Sequence, residues 1–273
     1  MKLGIIESAW FGTKVDLVEG VKMAKKIGFD TYDIFRDPYE TTVKEKVALR
    51  KALEETGLPP IAQTCPAPAL IDINTPIRRY AINWVKQWLD VGYEFGCKKL
   101  LLVVGEYIWE RQVIKPEIQW RWAVEGLREL GDHAKSLNMV IAMELEPFHN
   151  SLINSVELMV KFLKDVNHPN VKANADVSHL HLIRLPPDEL KKLKDLVAHV
   201  HFSDNNGQVH GDLPPGKGNA PLKDYLRVLK EMNYNDAISI ELEFCPVPDK
   251  VVDWVTEAYK VTAQMMDELK IRG

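Results

Sequence analysis

The sequence predicts a single (β/α)8 barrel over residues 1–273, and three observations predict it. Apolar runs alternate with amphipathic helices along the whole chain, in about eight units of roughly thirty residues. At 273 residues and 46% hydrophobic composition, the chain can bury one large core without a second domain. No GxGxxG follows the first strand and no GxxxxGK[ST] occurs anywhere, so a nucleotide-binding, doubly wound sheet has little support.

The units follow in order. "KLGIIE" opens the chain as a strand, and "VDLVEGVKMAKKIGFD" follows as a helix with Leu17, Val21, Ala24 and Ile27 on one face and Gly28 as its C-cap. "TYDIF" precedes a helix around residues 41–56. "IAQTC" precedes a long helix carrying Ile82, Val85 and Leu89. "KKLLLVV" precedes a helix with Leu127, Leu130, Ala134 and Leu137. The apolar run 139–143 then closes in Glu-Leu-Glu. The helix after it, "NSVELMVKFLKDV", shows a capping-box pattern in Asn154 and Glu157. "VKANAD" precedes a helix expected in "PPDELKKLKD", and "VAHVHFS" precedes "PLKDYLRVLKEM". A second Glu-Leu-Glu, at 241–243, closes the eighth strand. The last helix carries Val255, Ala258, Val261, Met265 and Leu269.

Composition excludes several function classes. Net charge is −4 and the pI about 6.1, with positive charges scattered among acidic neighbours, so no nucleic-acid surface is expected. The N-terminus is too short and too soon charged for a signal peptide, and no apolar run approaches a membrane span. Cys65, Cys97 and Cys245 form no CxxC and read as reduced thiols of a cytoplasmic protein.

Barrel chemistry sits where the strands end. Strand five ends in Glu144 and Glu146. Strand six ends in Asp176, followed by His179 and His181. Strand seven carries His199 and His201, then Ser203 and Asp204, and strand eight ends in Glu241 and Glu243. The first half offers less: Glu7, Asp33 and Glu106, among Trp10, Phe11, Tyr107 and Trp109. A lone strand histidine is ordinarily a satisfied core residue, and a lone aspartate an N-cap. Four consecutive strands ending in Glu, Asp or His are different, because four uncompensated burials cost several kcal/mol each. One divalent cation would satisfy them together. Carboxylates with one imidazole suit a hard or borderline ion, Mn²⁺ first, then Mg²⁺, Co²⁺ or Zn²⁺.

In these residues the chain resembles the xylose isomerase-like TIM barrel superfamily. Within it, the chain is similar to the sugar phosphate isomerase/epimerase branch that contains D-tagatose and D-psicose 3-epimerase and hydroxypyruvate isomerase. The resemblance rests on "AMELEP", "NADVSHLH", "HVHFSDNNG" and "SIELE" in that order, and on "LPPGKGNAPLKDYL" after strand seven. It implies the metal ligands Glu144, Asp176, His201 and Glu241, with Glu144 and Glu241 also the acid–base pair and His179 a substrate-binding group. The choice of Glu144 over Glu146 as the strand-five ligand stays open. The resemblance further implies a metal-dependent isomerase or epimerase of a small keto-sugar or polyol ketone, acting by proton abstraction next to a metal-bound carbonyl through an enediolate. The alternatives are an inosose dehydratase-like lyase on the same metal site and an endonuclease IV-like DNA-repair enzyme. The charge and the few rim ligands disfavour the second of these. The expected partner is a small-molecule carbohydrate, and barrels of this kind commonly form homodimers or homotetramers. The branch has an arginine beyond the strand-seven histidine and a glutamate six residues after the strand-five one; this chain has Asp204–Gly207 and Asn150 there. His210 and Lys217 are therefore the candidate replacements for substrate contacts, while Glu146 and Glu243, one pleat beyond Glu144 and Glu241, are expected at the rim to bind sugar hydroxyls or orient a ligand.

Overall fold

The computed structural model describes residues 1–66, 68–105, 113–243 and 245–273. Glu106, Tyr107 and Trp109, named above, lie outside the described residues. Eight parallel strands close a barrel in sequence order: β1 (Lys2–Ile6), β2 (Thr31–Ile34), β3 (Pro60–Thr64), β4 (Lys99–Leu102), β5 (Val140–Met143), β6 (Val171–Asp176), β7 (Val197–Phe202) and β8 (Ala237–Ile240). Pairing of Lys2 with Ala237 through Ile5 with Ile240 closes the ring. Gly4 permits this closure: a Cβ there would lie 2.3 Å from Thr31 Oγ1 and 2.8 Å from Ser239 Oγ.

The helices are α1 (Leu17–Ile27), α2 (Val43–Thr56), α3 (Thr75–Phe95), α4 (Pro116–Ser136), α5 (Val156–Val166), α6 (Val177–Leu182), α7 (Leu222–Glu231) and α8 (Val251–Glu268). Their apolar faces, with Val21, Ala24, Val85, Leu89, Leu127, Leu130 and Val255, pack on the outer barrel wall in one continuous core. Gly28 ends α1 at φ 119° as a left-handed C-cap, as the sequence predicts.

Two local expectations need correction. The N-cap of α5 is Ser155, whose hydroxyl accepts from the Leu158 amide at 3.2 Å, and not Asn154. Asn154 instead donates to the Phe148 carbonyl, and Glu157 pairs with Lys192. "PPDELKKLKD" is a 3₁₀ turn over Pro187–Leu193 and not an α-helix. Its buried residues, Leu190 and Leu193, are three apart, the spacing a 3₁₀ turn eclipses. The helical role in that unit falls to α6, which starts where β6 stops.

Candidate metal centre

Parallel register sets the polar residues level. Asn174 pairs with His199, Asp176 with His201, and His201 with Ser239. Alternation along β6 and β7 then sends Asn174, Asp176, His199 and His201 to the same side. Glu144 and Glu241 are the first residues past β5 and β8. Freed from the ladder but fixed by it, Glu144 still donates its amide to the Leu102 carbonyl, and Glu241 to that of Phe202.

These placements bring Glu144, Asp176, His201 and Glu241 together, with one ligand atom of each within 4.8 Å of the others. His201 Nδ1 lies 3.0 Å from Glu241 Oε2 and 3.5 Å from Glu144 Oε1. Neither approach is aligned as a hydrogen bond, so both His201 ring nitrogens, and Asp176 Oδ2, are buried without a hydrogen-bond partner. Burial pulls the His201 imidazole down, but the Glu241 and Glu144 carboxylates outweigh it and hold it well above its usual range. Burial pushes the Glu241 carboxyl well above the carboxylate range, against the pull of His201. Asp176 goes the other way: His179 and His201 overcome its burial and hold it at about 2. Three carboxylates and one imidazole, crowded and under-bonded, are the donor set of a divalent cation, and the residues present fit one.

The groups around the cluster divide by role. Asn174 Nδ2 donates to Glu144 Oε1 at 2.9 Å and fixes that carboxylate. Asp176 Oδ1 accepts the His179 amide at 2.8 Å, capping α6 and standing His179 over the cluster. The His179 Nδ1–H donates to the Leu145 carbonyl at 2.7 Å, which turns its Nε2 to His210 Nε2, 2.7 Å away. Burial lowers the His179 imidazole, yet Asp176 and the glutamates raise it to about 10. His210 Nδ1 is 3.6 Å from the buried Asp212, which accepts from Ser203 Oγ at 2.8 Å. Beneath the cluster, His199 Nε2 donates to Asp33 Oδ2 at 2.7 Å, with both residues wholly buried. Asp33, His199 and His201 also hold ligand atoms within 4.8 Å. Asp33 and His199 meet through Oδ2 and Nε2, which leaves Asp33 Oδ1 and His199 Nδ1 buried without a hydrogen-bond partner; because His201 belongs to the upper set, the pair reads as a floor for His201.

Other sequence candidates fall outside this group. Lys217 is turned to Glu257 of α8 at 2.7 Å, half exposed, and is not directed at the cluster. His181 bonds Asn219 Oδ1 at 2.8 Å. Asp204 organises the loop after β7: its carboxylate accepts the amides of Asn205, Gly216, Gly218 and Ala220 at 2.9–3.0 Å. Gly218 is required there, because a Cβ would lie 2.3 Å from Asp204 Oδ1. Glu146 stands just beyond Glu144, its amide bonded to the Ile153 carbonyl, and its charge reaches His179. Asn174, Asp212 and the Asp33–His199 pair went unassigned from sequence. Asn174 could have been found, since it lies one alternation before Asp176.

The family model described as xylose isomerase-like TIM barrel matches residues 21–265. The D-psicose 3-epimerase of Agrobacterium fabrum is 31% identical over 255 residues, 88% of this chain and 84% of that one. The D-psicose 3-epimerase of Enterocloster bolteae is 28% identical over 254 residues, 88% and 82% of the two chains. The inosose isomerase of Bacillus subtilis is 29% identical over 178 residues, 62% of this chain and 60% of that one. Among solved structures, a D-psicose 3-epimerase in the presence of D-fructose has a TM-score of 0.84 at 20% identity, covering 97% of this chain and 99% of that one. The IOLI protein with a zinc atom has 0.83 at 20% identity, covering 98% and 99%. At that identity the structures speak for the fold.

Proposed function

The chain belongs to the xylose isomerase-like TIM barrel family, as an enzyme of the sugar isomerase/epimerase class, and from that premise we propose that it moves a proton next to the carbonyl of a small keto-sugar or polyol ketone. One observation carries the reading: Glu144, Asp176, His201 and Glu241, from four consecutive strands, converge within 4.8 Å. We assign these four to one divalent cation, with Mn²⁺ first. When bound, such an ion supplies Lewis-acid polarisation of the substrate carbonyl.

The remaining chemistry falls to the chain's own residues. Glu144 and Glu241 stand on strand ends three apart around the barrel, on either side of His201. One removes the proton from the carbon beside the carbonyl, and the other returns it to the opposite face or the neighbouring carbon, through an enediolate. Asn174 holds Glu144 in one orientation throughout. His179, fixed through Nδ1 by Leu145, presents Nε2 to a substrate oxygen. His210 shares that position, and Glu146 lies within its charge range. Lys217 has no part in this assignment. The same reading places the enzyme in the cytoplasm, which the three free cysteines support.

The test is solvent exchange. The Mn²⁺-loaded protein in D₂O, given a panel of ketoses and inososes, is expected to wash deuterium into the carbon next to a carbonyl. Glu144→Gln and Glu241→Gln should each lose about 10²- to 10⁴-fold of that rate, the value of a positioned acid or base. Glu146→Gln should keep most of it. No exchange on any member of the panel would remove the reading, and loss in Glu146→Gln with retention in Glu144→Gln would move the strand-five register by one pleat.

A further inference from the structure

Beside the cluster, between the ends of β8 and β1, lies a cavity of about 300 Å³ lined by Ser8, Phe11, Gly12, Glu243 and Cys245. The Ser8 hydroxyl ties the two strand ends together by donating to the Leu242 carbonyl at 3.3 Å. Leu242 separates Glu241 of the cluster from Glu243 of the cavity, so the two spaces adjoin.

Three features define what the cavity would hold. Glu243 has no hydrogen-bond or ion-pair partner among the described residues, although it is partly buried. Phe11 is 45% exposed, with its ring held edge-on by Phe35. Finally, the described lysines and arginines on the segments after β1, β2 and β7 are already committed, while His210 after β7 reaches Glu243 by charge alone and Lys250 after β8 is exposed. Lys14 pairs with Asp249 at 2.8 Å, Arg36 with Glu7 at 2.8 Å, and Lys217 with Glu257 at 2.7 Å. A carboxylate with no direct hydrogen-bond or ion-pair partner among the described residues, reached only at longer range by the charge of His210 and set beside an open aromatic ring, suits an ammonium: the carboxylate takes its charge and the ring face adds a cation–π contact.

We propose that this cavity is a subsite for an amine-bearing arm of the ketose, with Glu243 as its counter-ion and Phe11 as its platform. The proposal rests on the ketose reading above. It also implies rejection of phosphorylated ketoses, because a phosphate would meet Glu243 and the nearby Asp212 carboxylate.

The experiment compares D-fructose, 1-amino-1-deoxy-D-fructose, 6-amino-6-deoxy-D-fructose and the two matching fructose phosphates on the Mn²⁺-loaded protein. Exchange kinetics and calorimetric binding are both read. At least one amino-ketose should be favoured over D-fructose by about tenfold, and the phosphates disfavoured by at least as much, as charge-assisted bonds imply. In Glu243→Gln the ratio of amino-ketose to D-fructose should collapse toward one at unchanged manganese content. Phe11→Leu should lower it about threefold, the worth of one cation–π contact. If neither amino-ketose is preferred, or if Glu243→Gln keeps the preference, the subsite is overturned. If an amino-ketose binds preferentially but nothing exchanges, the subsite stands and the proton-transfer reading fails.

Discussion

Adding a divalent cation to the metal-free protein should release protons, and the number follows from the site. His201 is held well above its usual range by Glu241 and Glu144 despite its burial, which favours the imidazolium in the metal-free protein. The Glu241 carboxyl is raised well above the carboxylate range by burial, against the pull of His201, which favours its protonated form. Asp176, at about 2, is ionised and has none to give. A cation needs a His201 lone pair and ionised carboxylates, so each ion should displace between about one and two protons. The metal-free state therefore binds more protons, acid favours it, and affinity climbs with pH. The rise should be about 10- to 100-fold per pH unit around neutrality, or ~1.4–2.7 kcal/mol. Calorimetric titration of stripped protein with Mn²⁺, in two buffers of different ionisation enthalpy, counts the protons directly. Tight binding with no proton release and no pH slope would mean that His201 is neutral in the metal-free protein, and the account of the cluster would be wrong.

Two further outcomes are expected. His179→Ala should lower kcat/KM by about 10- to 100-fold, the cost of one hydrogen bond to a charged group, while metal analysis still finds one ion per chain; loss of the ion would make His179 a ligand. Asp33→Asn should weaken Mn²⁺ affinity by about 10- to 100-fold, as removal of a supporting carboxylate does, with circular dichroism unchanged; unaltered affinity would leave the Asp33–His199 pair a packing feature only.

Most of the barrel was legible because its signals are local. Apolar runs of strand length, helical faces such as Leu17, Val21, Ala24 and Ile27, and the Gly28 cap each need only a few neighbouring residues to be read. The failures come where local signals compete. Asn154 and Ser155 are both good caps, and a tertiary bond from Asn154 to Phe148 leaves Ser155 to cap α5. In the sixth unit, charged residues favourable to a helix sit around only two buried leucines, and the chain settles for a 3₁₀ turn.

The site was legible by residue type and strand end, but not by role, because roles depend on partners remote in sequence. Asp204 looks like one more rim carboxylate, yet four loop amides consume it. Asp33 looks isolated on β2, yet it finds His199 across 166 residues. The two Glu-Leu-Glu runs show the same division most clearly. Period-two alternation makes both members of a pair equivalent, and only the ends of the ladders distinguish them. Because β5 stops at Met143 and β8 at Ile240, Glu144 and Glu241 keep one backbone bond to the neighbouring strand and close on His201. Two residues later the backbone has left the sheet. Glu146 is bonded to Ile153, and Glu243 lines the cavity with Ser8 and Phe11. On the assignment proposed above, a fold that needs two carboxylates on a metal and others facing the substrate can thus write the same tripeptide twice, with strand termination giving the first glutamate to the ion and the second to the space around it.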